Sequence, residues 1–186
     1  MSPIEIFGIF NLVEAFWIII PAYAANGLAP LAKFSSRHPI DGGKNWKDGR
    51  PIFGAGKTWE GSAIGIVMAV LIASIMGLAF YFLPWDLSPV TLQLAPMGPL
   101  LGFMLGFGAI LADIVKSFFK RRFGFERGKS FPIVDQLDFI LGAFLFASLV
   151  VPVKISWLIL LAIVTPLFHL SANYMAYLIG VKKEPW

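Results

Sequence analysis

Four stretches of this chain, residues 15–32, 61–85, 87–112 and 155–181, contain no Asp, Glu, Lys or Arg. Each approaches or exceeds the roughly 18–20 residues that carry an apolar helix across the hydrocarbon core of a bilayer. A fifth run, 139–153, is short. It reaches spanning length if its helix begins near Pro132 and takes in Asp135 and Asp138. The pattern predicts an all-α integral membrane protein of about five transmembrane helices, roughly 6–31, 61–84, 95–119, 133–152 and 156–180, forming one domain over residues 1–186. Composition agrees. The chain is 58% hydrophobic and 14% charged, whereas soluble domains are about half apolar and a quarter charged.

The remaining charge is lopsided. Of 15 cationic residues, Lys33, Arg37, Lys44, Lys47, Arg50 and Lys57 lie in one polar stretch, and Lys116, Lys120, Arg121, Arg122, Arg127 and Lys129 in a second. Lys182 and Lys183 are in the tail, and Lys154 alone falls elsewhere. Basic loops stay on the cytoplasmic side, so the expected topology has the N-terminus outside, the C-terminus inside and a long cytoplasmic loop between helices one and two. The residues before Phe16 carry no Lys or Arg, so they lack the charge pattern of a signal peptide and the first span reads as permanent. With no cysteine, disulfides and thiolate metal sites are excluded. No internal repeat and no low-complexity tract is visible.

Smaller features fit a helical bundle. Gly102, Gly106 and Gly108 have the small-residue spacing that lets helices approach in lipid. His169, Ser171 and Asn173 read as contacts between helices, and Pro152 and Pro166 as points that end or kink spans. Glu14, inside the first span, is a functional candidate because ionisable residues are costly there.

Two constellations carry chemistry. Asp113, Lys116, Ser117 and Lys120 are spaced i, i+3, i+4, i+7, on one helical face, with Arg121 and Arg122 following at the membrane edge. A turn at Gly124–Gly128 containing Arg127 leads to Phe131-Pro132, where proline suits the first turn of a new helix. Asp135 and Asp138 share a face of that helix, so the short connection brings Asp113 towards both. Three converging carboxylates repel unless a cation holds them. Hard oxygen ligands with nearby phosphate-binding cations suit Mg²⁺, although interfacial ion pairs such as Asp113 with Lys116 would serve as well. The second constellation runs from Asp41 to Gly61 through Lys44, Asn45, Asp48, Arg50, Gly54, Gly56, Lys57, Thr58 and Glu60. Its glycines let backbone amides approach phosphates, and its lysines supply charge. A P-loop is excluded, because position 51 is Pro51 where that motif needs glycine. Trp46, Phe53 and Trp59 offer apolar anchors, and a short interfacial helix is possible within the loop.

Lys57-Thr58-Trp59-Glu60-Gly61 resembles the K-T-W-E-G run of the phosphatidate cytidylyltransferases, and Asp113-x-x-x-Ser117-x-x-Lys120-Arg121 with Asp135-x-x-Asp138 resembles their C-terminal signature. The His38–Pro51 run and the five spans are similar to the archaeal branch, the CDP-archaeol synthases. The chain departs from the other branches at Arg127-Gly128, where they have Lys-Asp, and at Asp135-Gln136, where they have Asp-Arg. The His-Gly-Gly that precedes the metal-binding Asp in those branches is missing. The resemblance implies a multi-pass cell-membrane enzyme with its site facing the cytoplasm. It would join CTP to 2,3-bis-O-geranylgeranyl-glycerol 1-phosphate, giving a CDP-lipid and pyrophosphate, with no nucleic acid involved. It further implies Mg²⁺ on Asp113, Asp135 and Asp138. Lys116, Lys120, Arg121 and Arg122 would hold lipid phosphate or pyrophosphate, with Ser117 and Arg127 among the substrate-binding residues, the Lys57-Thr58 region would hold CTP phosphates, and Asn45 and Asp48 would read cytosine or ribose. The isoprenoid chains would enter through an apolar groove between spans. A CDP-alcohol phosphotransferase is disfavoured because Asp48-Gly49-Arg50-Pro51 does not continue into its D-G-x-x-A-R motif. A small transporter using the carboxylates as an ion site remains the contrasting class, although such folds keep charge near mid-membrane and often show repeats.

Overall fold

A computed structural model describes residues 8–34, 38–82, 92–125 and 134–178. Among the described residues the chain is helical, with no strand. We label its helices α1 (Ile9–Leu28), α2 (Trp59–Phe80), α3 (Pro99–Arg122), α4 (Val134–Ala147) and α5 (Ile155–Leu178), and a 3₁₀ helix, Ala29–Phe34, extends α1. Three helices, Ile9–Ala32, Trp59–Phe80 and Pro99–Arg122, are long and apolar enough to cross a membrane.

Helix boundaries follow local chemistry. α2 begins where the Thr58 hydroxyl accepts a hydrogen bond from the Gly61 amide at 3.1 Å, satisfying one of the free donors of its first turn. α3 starts at Pro99 rather than near residue 95, because Ala95–Gly98 is not helical and proline favours the first helical position. It runs on through Arg122, where three basic residues complement the helix C-terminus. Gly124, at φ 80°, adopts the left-handed conformation common just past a helix end. α4 stops at Ala147 rather than 152, its chain turning through Ser148–Val151 into Pro152. The expected start of that helix near Pro132 lies outside the described residues. α5 continues through Pro166.

α1 packs against each of the other four helices. Its Ile18, Ile19 and Ala22 form a fully buried core with Leu105, Ile140, Leu160 and Leu161. Lipid tails are as apolar as Leu, so association here depends on close fit. Gly102 and Gly106 of α3 sit against Ala73, Ala69 and Ile66 of α2, whereas Gly108 faces Gly142 of α4 backbone to backbone. The glycine spacing thus serves two different neighbours. Val67, Leu71, Ile75 and Leu78 form an exposed apolar stripe along α2, as expected of a face turned to lipid.

The isolated charge positions also find partners. Glu14 is buried, and its carboxylate accepts from Lys154 Nζ at 2.6 Å, the Gln93 amide at 2.7 Å and Trp157 Nε1 at 3.1 Å. Asn11 and Ser156 are bonded beside it at 2.9 Å. This network ties α1 to the start of α5, at the end of the bundle opposite the two constellations. Ser171 bonds its own helix at Leu167 O; the side chains of His169 and Asn173 lie outside the description.

Candidate active site

The loop before α2 contains no helix between His38 and Thr58. It is a set of turns folded around Asp41, which is 7% exposed. The Asp41 carboxylate accepts from the amides of Gly43 at 2.9 Å, Phe53 at 3.0 Å and Gly54 at 2.8 Å. Burial opposes its ionisation, but the three amides outweigh burial and hold its pKa below the usual value. Gly54 adopts φ 92°, and an added Cβ would lie 3.3 Å from Arg121 Nε. Isolated backbone bridges at Pro39–Thr58 and Asn45–Pro51 close the loop. The His38 ring pairs with Glu60, and the His38 amide donates to the same carboxylate at 3.0 Å.

The loop docks on the end of α3. Trp46 meets Phe118 edge to face at 5.3 Å, and Phe53 lies 6.4 Å from the same ring. Trp59 does not anchor it, being 62% exposed. Arg50 Nη1 donates to the carbonyls of Arg121 at 3.3 Å and Arg122 at 2.8 Å, completing the helix end. Arg122 pairs with Asp48 at 2.7 Å and bonds the carbonyls of Arg50 and Pro51. Arg121 reaches the carbonyls of Phe53 and Phe125. Arg50, Arg121, Arg122 and Asp48 therefore join loop to helix in this arrangement, and Thr58 caps α2. Lys44 and Asn45 are exposed on the loop's outer turn.

Docking brings the two constellations together. Lys57 pairs with Asp113. Lys116 Nζ lies 3.0 Å from Asp113, 3.3 Å from Asp135 and 3.0 Å from Asp138. Lys120 Nζ contacts both oxygens of Asp135, at 3.1 and 2.9 Å. Ser117 is buried, donating to the Asp113 carbonyl at 2.8 Å. The carboxylates converge as their spacing predicts, but around the Lys116 ammonium. In this arrangement, among the described residues, no three acidic or histidine side chains group closely enough to share a metal ion. One feature still fits a divalent cation: both Asp138 oxygens are buried and receive no well-aligned hydrogen bond, the contact with Lys116 being an ion pair only. The donor set, three carboxylates beside phosphate-binding cations, has the hardness Mg²⁺ needs. Arg127 lies outside the described residues.

Cavities flank the cluster. A polar pocket of about 350 Å³ is lined by Gly56, Lys57, Thr58, Asp113, Asn26 at the end of α1 and Pro30 of the 3₁₀ helix that follows it. An apolar groove of about 540 Å³ runs between α3 and α4, with Lys116, Lys120 and Asp138 at its charged end. Asn26 was not among the sequence candidates. A polar residue near the end of an otherwise apolar helix was the signal available for it.

Residues 8–186 match the family model for CarS-like CDP-archaeol synthase. The chain belongs to the CDP-archaeol synthase family. It is 42% identical over 176 residues to the CDP-archaeol synthase of Thermococcus onnurineus, covering 95% of this chain and 98% of that protein. With the CDP-archaeol synthase of Methanosarcina barkeri it shares 40% identity over 183 residues, covering 90% and 100%. Among solved structures it resembles an intramembrane enzyme for archaeal membrane lipids biosynthesis, with a TM-score of 0.73 and 32% identity, covering 88% of this chain and 94% of that one. Family membership, together with the charge gathered at one end of the bundle, sets the transporter reading aside.

Proposed function

We propose that this chain transfers the cytidylyl group of CTP to an archaeal ether-lipid phosphate at the charged cluster of α3 and α4, releasing pyrophosphate. The observation that carries the reading is that Asp113 lines a polar pocket while Lys116, 3.0 Å from it, lines an apolar groove together with Asp138. A water-soluble nucleotide suits the first and a lipid the second. In the reaction a phosphate oxygen of the lipid forms a bond to the α-phosphorus of CTP, the bond to the bridging oxygen breaks, and pyrophosphate leaves. No general base is needed, because the attacking phosphate is already ionised near neutral pH. The protein's work is to position and to neutralise charge.

Lys57 and the amides around Gly56 receive the CTP phosphates, and Asn26 and Ser62 add polar contacts in the same pocket. Lys116 and Lys120 hold the lipid phosphate at the head of the groove. Asp113, Asp135 and Asp138 are the residues that would hold Mg²⁺, which when bound would neutralise charge on the phosphate oxygens. We place the site on the cytoplasmic face of the cell membrane, from the distribution of the cations.

Purified protein in detergent, given labelled CTP, Mg²⁺ and a geranylgeranyl ether-lipid phosphate, should form CDP-lipid. Folded protein that forms none overturns the reading. Asp113→Asn and Asp135→Asn should each lower turnover about 100-fold or more. Near-normal turnover in both would refute the metal assignment.

A further inference from the structure

Asn26, near the C-terminal end of α1, is a wall residue of two cavities. One is the polar pocket that holds Lys57 and Asp113. The other is a cavity of about 440 Å³ between α1, α4 and α5, with Asp135 at its polar end. Asp113 and Asp135 lie 3.0 and 3.3 Å from the same Lys116 ammonium. Asn26 therefore borders the ion cluster from the α1 side.

The other polar side chains on these walls already have partners. Thr58 accepts from the Gly61 amide at 3.1 Å, Ser62 donates to the Thr58 carbonyl at 3.0 Å, and Tyr23 and Thr165 bond each other at 2.5 Å. Among the described residues the half-buried Asn26 carboxamide makes no hydrogen bond. Its two N–H donors and its carbonyl oxygen are open to a ligand. It stands on a helix whose neighbouring Ala22 and Ala25 are fully buried, so its position does not depend on the docking of the loop.

The chemistry brings the reacting atom to this place. The lipid phosphate on Lys116 and Lys120 attacks the α-phosphorus of a nucleotide whose remaining phosphates lie against Lys57. That phosphorus must stand between Lys57 and Lys116, beside Asp113. As the lipid oxygen bonds to it, the bond to the bridging oxygen breaks and its electron pair leaves on pyrophosphate. No proton moves. The two non-bridging oxygens stay on the α-phosphorus, and donors aimed at them lower the barrier. We propose that the Asn26 NH₂ group donates to one of these oxygens and stabilises the transition state. This rests on the cytidylyltransferase reading and adds a catalytic residue to it. A neutral donor suits the place, because it does not pair with an acid as each lysine of the cluster does.

The test uses Asn26→Ala and Asn26→Asp, the second of which keeps the shape but offers no donor. Each should lower kcat about 100-fold and leave KM for CTP within about threefold, the pattern of a contact made in the transition state. Melting temperature in detergent should match the wild type. The sharper readout is the pair of CTP diastereomers that carry sulfur in place of one α-oxygen, since sulfur accepts hydrogen bonds poorly. In Asn26→Ala the rate penalty for sulfur should shrink about fivefold or more for one diastereomer and stay unchanged for the other. Undiminished penalties for both would overturn the proposal even if kcat falls. A raised KM or an altered preference for CTP over UTP with kcat kept would also overturn it, making Asn26 a contact to the base. A wild type that makes no CDP-lipid defeats the enzyme reading itself, and the proposal with it.

Discussion

Asp41 offers a sharp separation between a residue that builds the site and one that touches substrate. Its carboxylate takes three backbone amides, two on Oδ2 and one on Oδ1. Asp41→Asn preserves shape but can present only one oxygen. If that oxygen keeps Phe53 and Gly54, the new NH₂ group faces the Gly43 amide, donor against donor. A hydrogen bond to a charged group contributes about 1.5–3 kcal/mol. Losing one, with the charge removed from the other two, should cost about 2–4 kcal/mol of local loop stability. The protonated wild type mimics this change. Because folding lowers the Asp41 pKa, its contribution is fully present above the unfolded carboxylate value of about 3.9 and is lost as pH falls through the lower folded value. Hydrogen exchange across residues 38–58 should therefore accelerate in Asp41→Asn at neutral pH, and in the wild type only under strong acid. KM for CTP should rise with the loop's opening, because Lys57 is carried on it. Unchanged exchange in Asp41→Asn with a collapse in kcat would refute this reasoning and make Asp41 a substrate contact.

The Glu14 network should behave as structure alone. Glu14→Ala or Lys154→Met should each lower stability by about 3–5 kcal/mol by stranding buried partners, and the double variant by less than the sum, as read by thermal unfolding in detergent, with kcat per folded molecule preserved. Gly108→Val or Gly142→Val should prevent α3 and α4 from closing, since the added carbon strikes the facing backbone. Loss of folded protein in size-exclusion chromatography checks this. Trp46→Ala removes an edge-to-face contact worth about 0.5–1.5 kcal/mol. It should raise KM for CTP a few-fold with little effect on melting temperature.

Much of this architecture was legible because lipid permits few solutions. Uncharged runs located the helices, and the i, i+3, i+4, i+7 spacing put Asp113, Lys116 and Lys120 on the face where α4 meets them. What sequence could not supply was pairing. Arg121 and Arg122 read as phosphate neighbours and Arg50 as part of the loop's binding constellation, but three-dimensional proximity gives their guanidinium groups to backbone carbonyls and Asp48. Lys154 looked like a stray cation and Glu14 like a functional candidate within the first span, but the two, 140 residues apart, pair with each other, and neither position announces the other. Helix ends missed by several residues, as at Ala147, were decided by the turn into Pro152, not by hydrophobicity.

The charge balance of the cluster leads to a further expectation. Asp113, Asp135 and Asp138 face three ammonium groups, those of Lys57, Lys116 and Lys120, and every one of these lysines contacts an acid. A triphosphate arriving at such a cluster meets cations already engaged and carboxylates that repel it. Binding requires that something else neutralise the acids and release the lysines. A divalent cation on the carboxylates would do this at one stroke, exchanging the five ion pairs for ion–carboxylate contacts and lysine–phosphate contacts. CTP affinity measured by calorimetry should therefore fall at least tenfold when divalent ions are chelated. In the triple variant Asp113→Asn, Asp135→Asn, Asp138→Asn the lysines no longer pair with these carboxylates, metal or not. Its CTP affinity should depend little on Mg²⁺ even though it does not turn over. If the wild type binds CTP equally well with and without divalent ions, the acids do not restrain the lysines, and the argument from charge balance fails.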